Sequence, residues 1–394
     1  MLNLHPKKDF IPRSAVVLGS TGSVGTQTLD VITELGLNVR MLTAGTNTEL
    51  LAAQIRRYHP EIVAVVSEQA ANDLRDRIDG NLPVIVWDQE TALQLIEQTD
   101  ADIIFHSVAG LAGIPYALAA ARSGKRIGMA NKEAIIAAGE LIFSLMRKSG
   151  GEMIPVDSEH SAVFRCMEGK SPEDVAKIHL TASGGPFFGK MPDELKSVTA
   201  AEALAHPTWK MGKKITVDSA TLMNKGFEII EAVKLFGVPE DRVDVLIHRQ
   251  SIIHSLVEYT DHTFLAQMGR PDMRDCIRYA ATAPHTKASP DAGIDLVKIG
   301  SLTFDRPDIN AFPLLETARE AVREGGTATT ALIAADEAAV EAFLDSRIGF
   351  TEISSVVHET LAKVRVYSNV TEETVAETDR EARQITRSLI ENCI

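Results

Sequence analysis

Cysteine is scarce in this sequence. Cys166, Cys276 and Cys393 are its three cysteines in 394 residues. They lie far apart and show neither metal-ligand nor redox spacing, which fits a reducing cytoplasm. Long apolar runs are missing too. No stretch is long enough to span a bilayer, and Met1–Asp9 lacks the apolar core of a signal peptide. A cytoplasmic protein without a membrane partner is therefore expected. Positive charge is in deficit, with 40 Lys and Arg against 54 Asp and Glu and a formal net charge of −14. That balance argues against nucleic acid as a partner, and an anionic ligand would need a local basic pocket. No internal repeat or low-complexity tract occurs. What is present is ordinary for a globular protein, with 45% apolar and 24% charged residues. The length implies two or three domains.

Two stretches carry candidate chemistry. Ile154–Glu159 (Ile-Pro-Val-Asp-Ser-Glu) ends a strand-like run with two carboxylates, and in an extended chain Asp157 and Glu159 point the same way. Val217–Glu231 reads as a helix with Asn224, Lys225 and Glu228 on one face. Oxygens from Asp157, Glu159 and Glu228 would make a hard site for Mg²⁺ or Mn²⁺. Ser219, Asn224 and Lys225 would supply donors for a phosphate. Ordinary solvated helix and loop polars are the other reading of these residues.

The N-terminal third alternates strand and helix. Ser14–Leu18 is β-rich, Gly19–Gly25 follows with the spacing G-x-x-G-x-x-G, and a helical pattern runs to Leu35. This is the first half of a nucleotide-binding βαβ unit, with a pyrophosphate placed at the helix N-terminus. The second strand, Asn38–Leu42, ends without the acidic residue that holds an NAD ribose. Gly45, Thr46 and Asn47, with Arg56 and Arg57 nearby, point to NADP(H). Further strands are expected at Ile62–Val66, Val84–Val86, Ile103–Phe105, Arg126–Met129 and Glu152–Val156. Helices are expected between them, giving a doubly wound parallel sheet. Lys132 falls at a strand end, where ligands bind.

Beyond Glu159 the pattern changes. Ala182–Pro186 is a turn that leaves Ser183 and backbone N–H groups free for an anion. His206–Lys214 combines glycine and proline breakers, Trp209 and three lysines, which marks a lid candidate or a surface loop. Lys210, Lys213 and Lys214 are its available charges. Val243–Ile247, Ile252–Tyr259 and Thr263–Met268 read as antiparallel strands, with His248 and His254 structural. An apolar face carrying Ile253, Leu256 and Leu265 suggests pairing with a second subunit. Pro284–Pro313 reads as a linker. Leu314–Glu324, Ala328–Leu344, Ile353–Val366 and Val375–Asn392 suggest a terminal helical bundle.

These motifs, in order, resemble the 1-deoxy-D-xylulose 5-phosphate reductoisomerase family over nearly the whole chain. They are Gly19–Gly25, Ala130–Glu133, Pro155–His160, Ala182–Phe187, His206–Gly212 and Val217–Glu228. The resemblance implies that Asp157, Glu159 and Glu228 hold Mg²⁺ or Mn²⁺, with Co²⁺ an alternative. It implies substrate contacts from Lys132, Ser158, Glu159, Ser183, His206, Ser219, Asn224, Lys225 and Glu228. Catalytic roles fall to Lys132, Asp157, Glu159, His206 and Glu228. NADPH would be lined by Thr21, Gly22, Ser23, Val24, Gly45, Thr46, Asn47, Asn131, Glu133 and Gly212. Thr46 stands where the family often has Lys or Arg. The residues before the first strand are assigned no role.

The fold implied is α/β: a doubly wound NADP-binding domain (1–157), an α+β catalytic and connective domain with a dimerisation sheet and lid (158–283), a linker (284–313) and a C-terminal helical domain (314–394). The implied activity is NADPH- and metal-dependent rearrangement and reduction of a ketose phosphate by a cytoplasmic homodimer. The rivals are another NADP-linked oxidoreductase, such as a semialdehyde dehydrogenase, and a catalytically silent NADP-binding sensor. The first needs an activated cysteine, and the second has no use for three carboxylates beside a phosphate pocket.

Overall fold

The computed structural model describes residues 6–209 and 211–392. Its first region alternates β1 (Ser14–Leu18), α1 (Ser23–Leu35), β2 (Asn38–Ala44), α2 (Thr48–Tyr58), β3 (Ile62–Val65), α3 (Glu68–Asp76), β4 (Val84–Val86), α4 (Gln89–Glu97), β5 (Ile103–His106), α5 (Ile114–Arg122), β6 (Arg126–Met129), α6 (Lys132–Ser149) and β7 (Glu152–Pro155). The seven strands pair in parallel in the order β4-β3-β2-β1-β5-β6-β7. Helices cover both faces, so the central strand β1 is apolar after Ser14 and all five of its residues are buried. Strand order reverses between β1 and β5, which opens a crevice at their carboxyl ends.

A second region holds α7 (Ser158–Cys166), β8 (Val175–Ala182), α8 (Pro192–Leu195), α9 (Ala200–Ala203), α10 (Lys213–Ala220), α11 (Met223–Phe236), β9 (Val243–Ile247), β10 (Ile253–Tyr259), β11 (Phe264–Met268) and α12 (Met273–Thr282). Its sheet runs β11-β10-β8-β9. The expectation of three successive antiparallel strands fails for β9, which pairs in parallel with β8, while β8 separates it from β10. The helices from α8 to α11 supply the long crossover that a parallel pair requires. The expected apolar face is also revised. Ile253 is buried, and Leu265 pairs with Val257. Antiparallel partners share a face, so Leu265 shares that of buried Val257. Leu256 shares the opposite face with Phe264, whose ring stacks on His179. His248 and His254 are buried.

Residues 284–313 are more than a linker. Ile247 and Asp305 exchange backbone hydrogen bonds of 2.9 Å, and Gln250 donates to the Ser301 carbonyl at 2.6 Å. The segment, with α13 (Leu296–Ile299) inside it, thus covers the free edge of β9. Then come α14 (Leu314–Glu324), α15 (Ala328–Leu344), α16 (Phe350–Leu361) and α17 (Glu372–Asn392). α15 is buried almost all round and packs on α6, α10, α14, α16 and α17. The segment before β1 has a packing role. Lys7 N–H donates to Glu152 at 2.8 Å, and the Phe10 ring lies 3.7 Å from the Arg126 guanidinium, itself paired with Glu152 at 2.6 Å.

Candidate active site

The glycine turn after β1 is built by packing at both ends. Gly19 has φ +80°, and a Cβ there would meet the Ser107 carbonyl oxygen at 2.8 Å; one at Gly25 would meet the Gly19 oxygen at 2.1 Å. At Gly22, the N-cap of α1, the nearest atom to such a Cβ is 3.4 Å away. The fold does not demand glycine there, and the surface stays open to a ligand on the helix N-terminus. Thr21 is half-buried, whereas Gly22 and Ser23 are exposed. At the end of β2, Gly45, Thr46 and Asn47 are exposed, and Asn47 caps α2 by accepting from Leu50 N–H at 3.2 Å. Arg56 and Arg57 are engaged elsewhere, on the Arg77 carbonyl and over the Tyr58 ring.

Asn131 caps α6 through Ala134 N–H at 2.5 Å, and its amide group donates to the carbonyls of Val108 and Gly110. It is 2% exposed. Its side-chain amide therefore ties the loop after β5 to α6. His106 lies beneath this loop. Its Nε2–H donates to the Gly113 carbonyl at 2.9 Å, and Nδ1 faces Val108 N–H at 3.4 Å. Burial pushes His106 down to about 4.

Lys132 opens α6, and its ammonium gathers three groups. Asp157 Oδ2 lies at 2.7 Å, Asn224 Oδ1 at 2.9 Å and Glu228 Oε1 at 3.2 Å. Asp157 is not in extended chain, as expected from sequence, but caps α7, its Oδ1 accepting from Glu159 N–H at 3.1 Å. The two carboxylates still converge because both sit at one helix N-terminus, a favourable place for negative charge. The stretch Val217–Glu231 is two helices rather than one. Leu222, with φ +61°, ends α10 and starts α11. Ser219 therefore lies on α10, and Asn224, Lys225 and Glu228 on α11. Lys225 Nζ bonds Glu228 Oε2 and lies 3.4 Å from Glu159 Oε1. Ser158 donates to Glu159 at 2.5 Å.

Ligand oxygens of Asp157, Glu159 and Glu228 lie within 4.8 Å of one another. Burial, and then the nearby Glu228 carboxylate, push Glu159 up to about 7. A divalent cation would relieve that crowding, and three hard oxygens suit Mg²⁺ or Mn²⁺. The residues present fit the metal.

Two neighbours went unassigned from sequence. His160, one turn from Asp157, faces Asp157 Oδ1 at 3.1 Å and Glu231 Oε2 at 3.2 Å, and its Nε2–H donates to the Glu228 carbonyl at 2.9 Å. Burial alone would lower its pKa, but Glu231 and Asp157 raise it to about 9. The i, i+3 spacings Asp157–His160 and Glu228–Glu231 were the available signals.

Ser183, His206 and Ser219 meet on the other side. His206 Nε2 lies 3.0 Å from Ser183 Oγ and 3.1 Å from Ser219 Oγ, and Nδ1 accepts from Thr208 and Trp209 N–H. Accepting at Nδ1 leaves Nε2–H as the donor, and burial holds His206 below its ordinary pKa. Gly185 permits the approach, since a Cβ there would meet the Ser219 carbonyl oxygen at 2.7 Å.

One cavity of about 540 Å³ joins these groups. It is lined by Ser23, Val24, Lys132, Asp157, Ser158, Glu159, Ser183, His206, Trp209, Gly212, Ser219, Asn224, Lys225 and Glu228. Thr21, Gly22, Gly45, Thr46, Asn47, Asn131 and Glu133 lie outside that lining. Pro271 to Arg274 also border it, and no motif marked them. Lys210 lies outside the described residues, Lys213 is exposed, and Lys214 is paired with Asp218 and Asp336, which corrects its expected availability. Burial pushes the thiols of Cys166 and Cys276 up, to about 11 and about 12. Neither is an activated nucleophile; Cys393 lies outside the described residues.

Three family descriptions match in sequence order. "1-deoxy-D-xylulose 5-phosphate reductoisomerase" matches residues 15–139, its C-terminal domain 153–236, and "DXP reductoisomerase C-terminal domain" 268–385. The 1-deoxy-D-xylulose 5-phosphate reductoisomerase of Thermoanaerobacter pseudethanolicus is 44% identical, over 94% of this chain and 98% of its own. That of Acetivibrio thermocellus is 45% identical, over 95% and 98%. The solved reductoisomerase of Zymomonas mobilis in complex with NADPH is 38% identical, with a TM-score of 0.90 over 96% of this chain and 99% of that one. A solved DOX-P reductoisomerase in complex with NADPH, fosmidomycin and magnesium is 35% identical, with a TM-score of 0.90 over 96% of this chain and 98% of that one.

Proposed function

The chain belongs to the 1-deoxy-D-xylulose 5-phosphate reductoisomerase family, and we propose on that premise that the cavity between α1, α7 and α11 is its catalytic site. The enzyme carries out the NADPH- and divalent-metal-dependent rearrangement and reduction of 1-deoxy-D-xylulose 5-phosphate to 2-C-methyl-D-erythritol 4-phosphate, in isoprenoid precursor biosynthesis. One observation carries the assignment of the site. Three convergent carboxylates, Lys132 and Lys225 share a single cavity with Ser183, His206 and Ser219.

Asp157, Glu159 and Glu228 would hold the metal, and Lys132 and Ser158 would meet the substrate's carbonyl and hydroxyl oxygens. When bound, the metal polarises those oxygens as a Lewis acid and NADPH supplies hydride. Lys132 is positioned by Asp157, Asn224 and Glu228, so its charge faces the reacting end without a search through rotamers. Ser183, His206 Nε2–H and Ser219 would hold the phosphate with Asn224 and Lys225. Binding energy from that remote group serves to orient the reacting end. Thr21, Gly22, Ser23, Val24, Gly45, Thr46, Asn47, Asn131, Glu133 and Gly212 would line NADPH, with the Asn131 side chain also holding the loop after β5.

The proposal keeps the division into 1–157, 158–283, 284–313 and 314–394. It also includes a cytoplasmic homodimer, paired through the sheet face bearing Leu256 and Phe264; Phe264 is 53% exposed. No described helix is long and apolar enough to cross a membrane. Incubation of the protein with 1-deoxy-D-xylulose 5-phosphate, NADPH and Mg²⁺ tests the function. Substrate-dependent NADPH oxidation is expected, and its absence with folded protein would refute the reading.

A further inference from the structure

Lys214 lies two residues after Gly212, in the first turn of α10. Its Nζ is 2.6 Å from Asp218 Oδ2, one turn on, and 2.7 Å from Asp336 Oδ2 in α15. It also lies 4.6 Å from the Phe227 ring centre. Asp218 and Asp336 are 2% and 0% exposed. Asp218 Oδ1 and both carboxylate oxygens of Asp336 are buried without a hydrogen-bond donor among the described residues, so Lys214 meets Asp336 as an ion pair. Two carboxylates thus share one ammonium, and Glu133 at the start of α6 adds its field to the same cluster.

The two helices joined here differ in purpose. α15 is a rigid core element, and Thr329 near its start donates to the Ile136 carbonyl of α6 at 2.8 Å. α10 borders the cavity at both ends, through Gly212 at its N-cap and Ser219 near its end. Val217 and Ala220 bury one face of α10 in the core, and the Lys214 bridge adds a charged tie to α15. An ion contact of this geometry fixes one register of one helix against the other, which greasy packing alone does less well.

We propose that Lys214 and Asp336 are positioning residues: Asp336 anchors α10 through Lys214, and so sets where Ser219 and its partner His206 present donors to the substrate phosphate. This rests on the reading of Ser183, His206 and Ser219 as the phosphate cluster. Asp336 is not among the residues that line the cavity, so it acts at a distance from the chemistry.

The test compares Asp336→Ala, which removes the charge, with Asp336→Glu, which keeps it. Misplacing one phosphate donor should raise the KM for 1-deoxy-D-xylulose 5-phosphate about tenfold in the Ala variant, with kcat changed less than about threefold. The Glu variant should return KM to within about threefold of the parent. An unchanged KM in Asp336→Ala overturns the proposal, and so does an equal rise in Asp336→Glu. Hydrogen exchange on the unmodified protein decides the matter if the Ala variant does not fold. Backbone amides of residues 216–220 should exchange as slowly as those of α15. Exchange at the rate of residues 206–209 would overturn the anchor. That measurement needs no turnover, so it remains decisive even if the protein failed to convert the sugar phosphate, a result that would instead refute the functional reading.

Discussion

His160 Nδ1 and Asp157 Oδ1 face each other at 3.1 Å across one helical turn. The same ring donates from Nε2 to the Glu228 carbonyl at 2.9 Å. One imidazole thus bridges two of the three proposed metal ligands, Asp157 and Glu228. Partners of this kind orient ligands, and their loss commonly costs about 10- to 100-fold in metal affinity. His160→Gln should raise the Mg²⁺ concentration for half-maximal activity by that order, with the KM for NADPH little changed. Calorimetric Mg²⁺ titration is the direct check, and an unaltered affinity would remove His160 from the site.

Glu228 is 1% exposed and meets both Lys132 and Lys225. Its carboxylate is therefore shared between the metal site and two cations. Glu228→Gln keeps the shape and removes the charge. Turnover should fall by about 10²-fold or more, the scale on which a lost electrostatic group acts in catalysis. NADPH affinity should stay within about threefold, a change under 1 kcal/mol. EDTA should abolish activity of the parent enzyme and excess Mg²⁺ should restore it. Full activity in metal-free buffer would overturn the carboxylate assignment.

The alternating first half was legible because buried parallel strands are continuous apolar runs, separated by short glycine or polar turns. β1 and the start of α1 at Ser23 lie where that logic put them. The break at Leu222 was not legible. Its left-handed backbone is carried by a buried leucine, and the helical spacing of apolar residues continues across it. Lys214 was misread for a different reason. Its partner Asp336 comes from a helix far along the chain, and local pattern says nothing about such a pairing. Asn131 fell inside a motif, yet its amide is spent on capping α6 and tying the loop after β5.

His106 gives a pH-dependent stability. Burial lowers its pKa to about 4, against roughly 6.5 for the unfolded chain. Between these values the unfolded state binds more protons, so stability falls as pH drops from about 6.5 to 4, by up to about 3 kcal/mol. Glu159 and Glu231, both raised to about 7, act with the opposite sign. The difference between parent and His106→Asn is therefore the measure. Denaturant unfolding at pH 7.5 and pH 5 should show a smaller loss on acidification in the variant. Equal losses would mean that His106 does not titrate in this window.

Lys225 is 4% exposed, with Glu228 and Glu159 as its carboxylate partners. In an acidic protein it is the cation of α11 that lines the cavity beside Asn224. A charge-assisted bond to phosphate contributes roughly 1.5–3 kcal/mol, on the order of 10- to 100-fold in affinity. Lys225→Ala should raise the substrate KM at least about tenfold. Removing one partner of a buried pair also destabilises the fold by about 3–5 kcal/mol, so a melting curve must accompany the kinetics. A folded variant with unchanged KM would move the phosphate elsewhere.

Trp209 reports on the cavity from its edge. It lines the pocket, and its backbone N–H donates to His206 Nδ1 at 2.9 Å. Any ligand bonded to His206 Nε2 therefore acts on the ring that fixes the Trp209 backbone. Trp87 is the other tryptophan. It is 41% exposed and lies under the Arg75 guanidinium at 5.0 Å, outside the cavity lining. Binding of a phosphonate substrate mimic with Mg²⁺ should change the intrinsic fluorescence, because indole emission follows its surroundings. Trp209→Phe should remove the ligand-dependent change and leave the steady Trp87 emission. Omission of Mg²⁺ should weaken the response in the parent, since Lys132 and Lys225 then share the carboxylates with no divalent ion. A ligand response that survives Trp209→Phe would place the binding event away from His206, and the phosphate cluster with it.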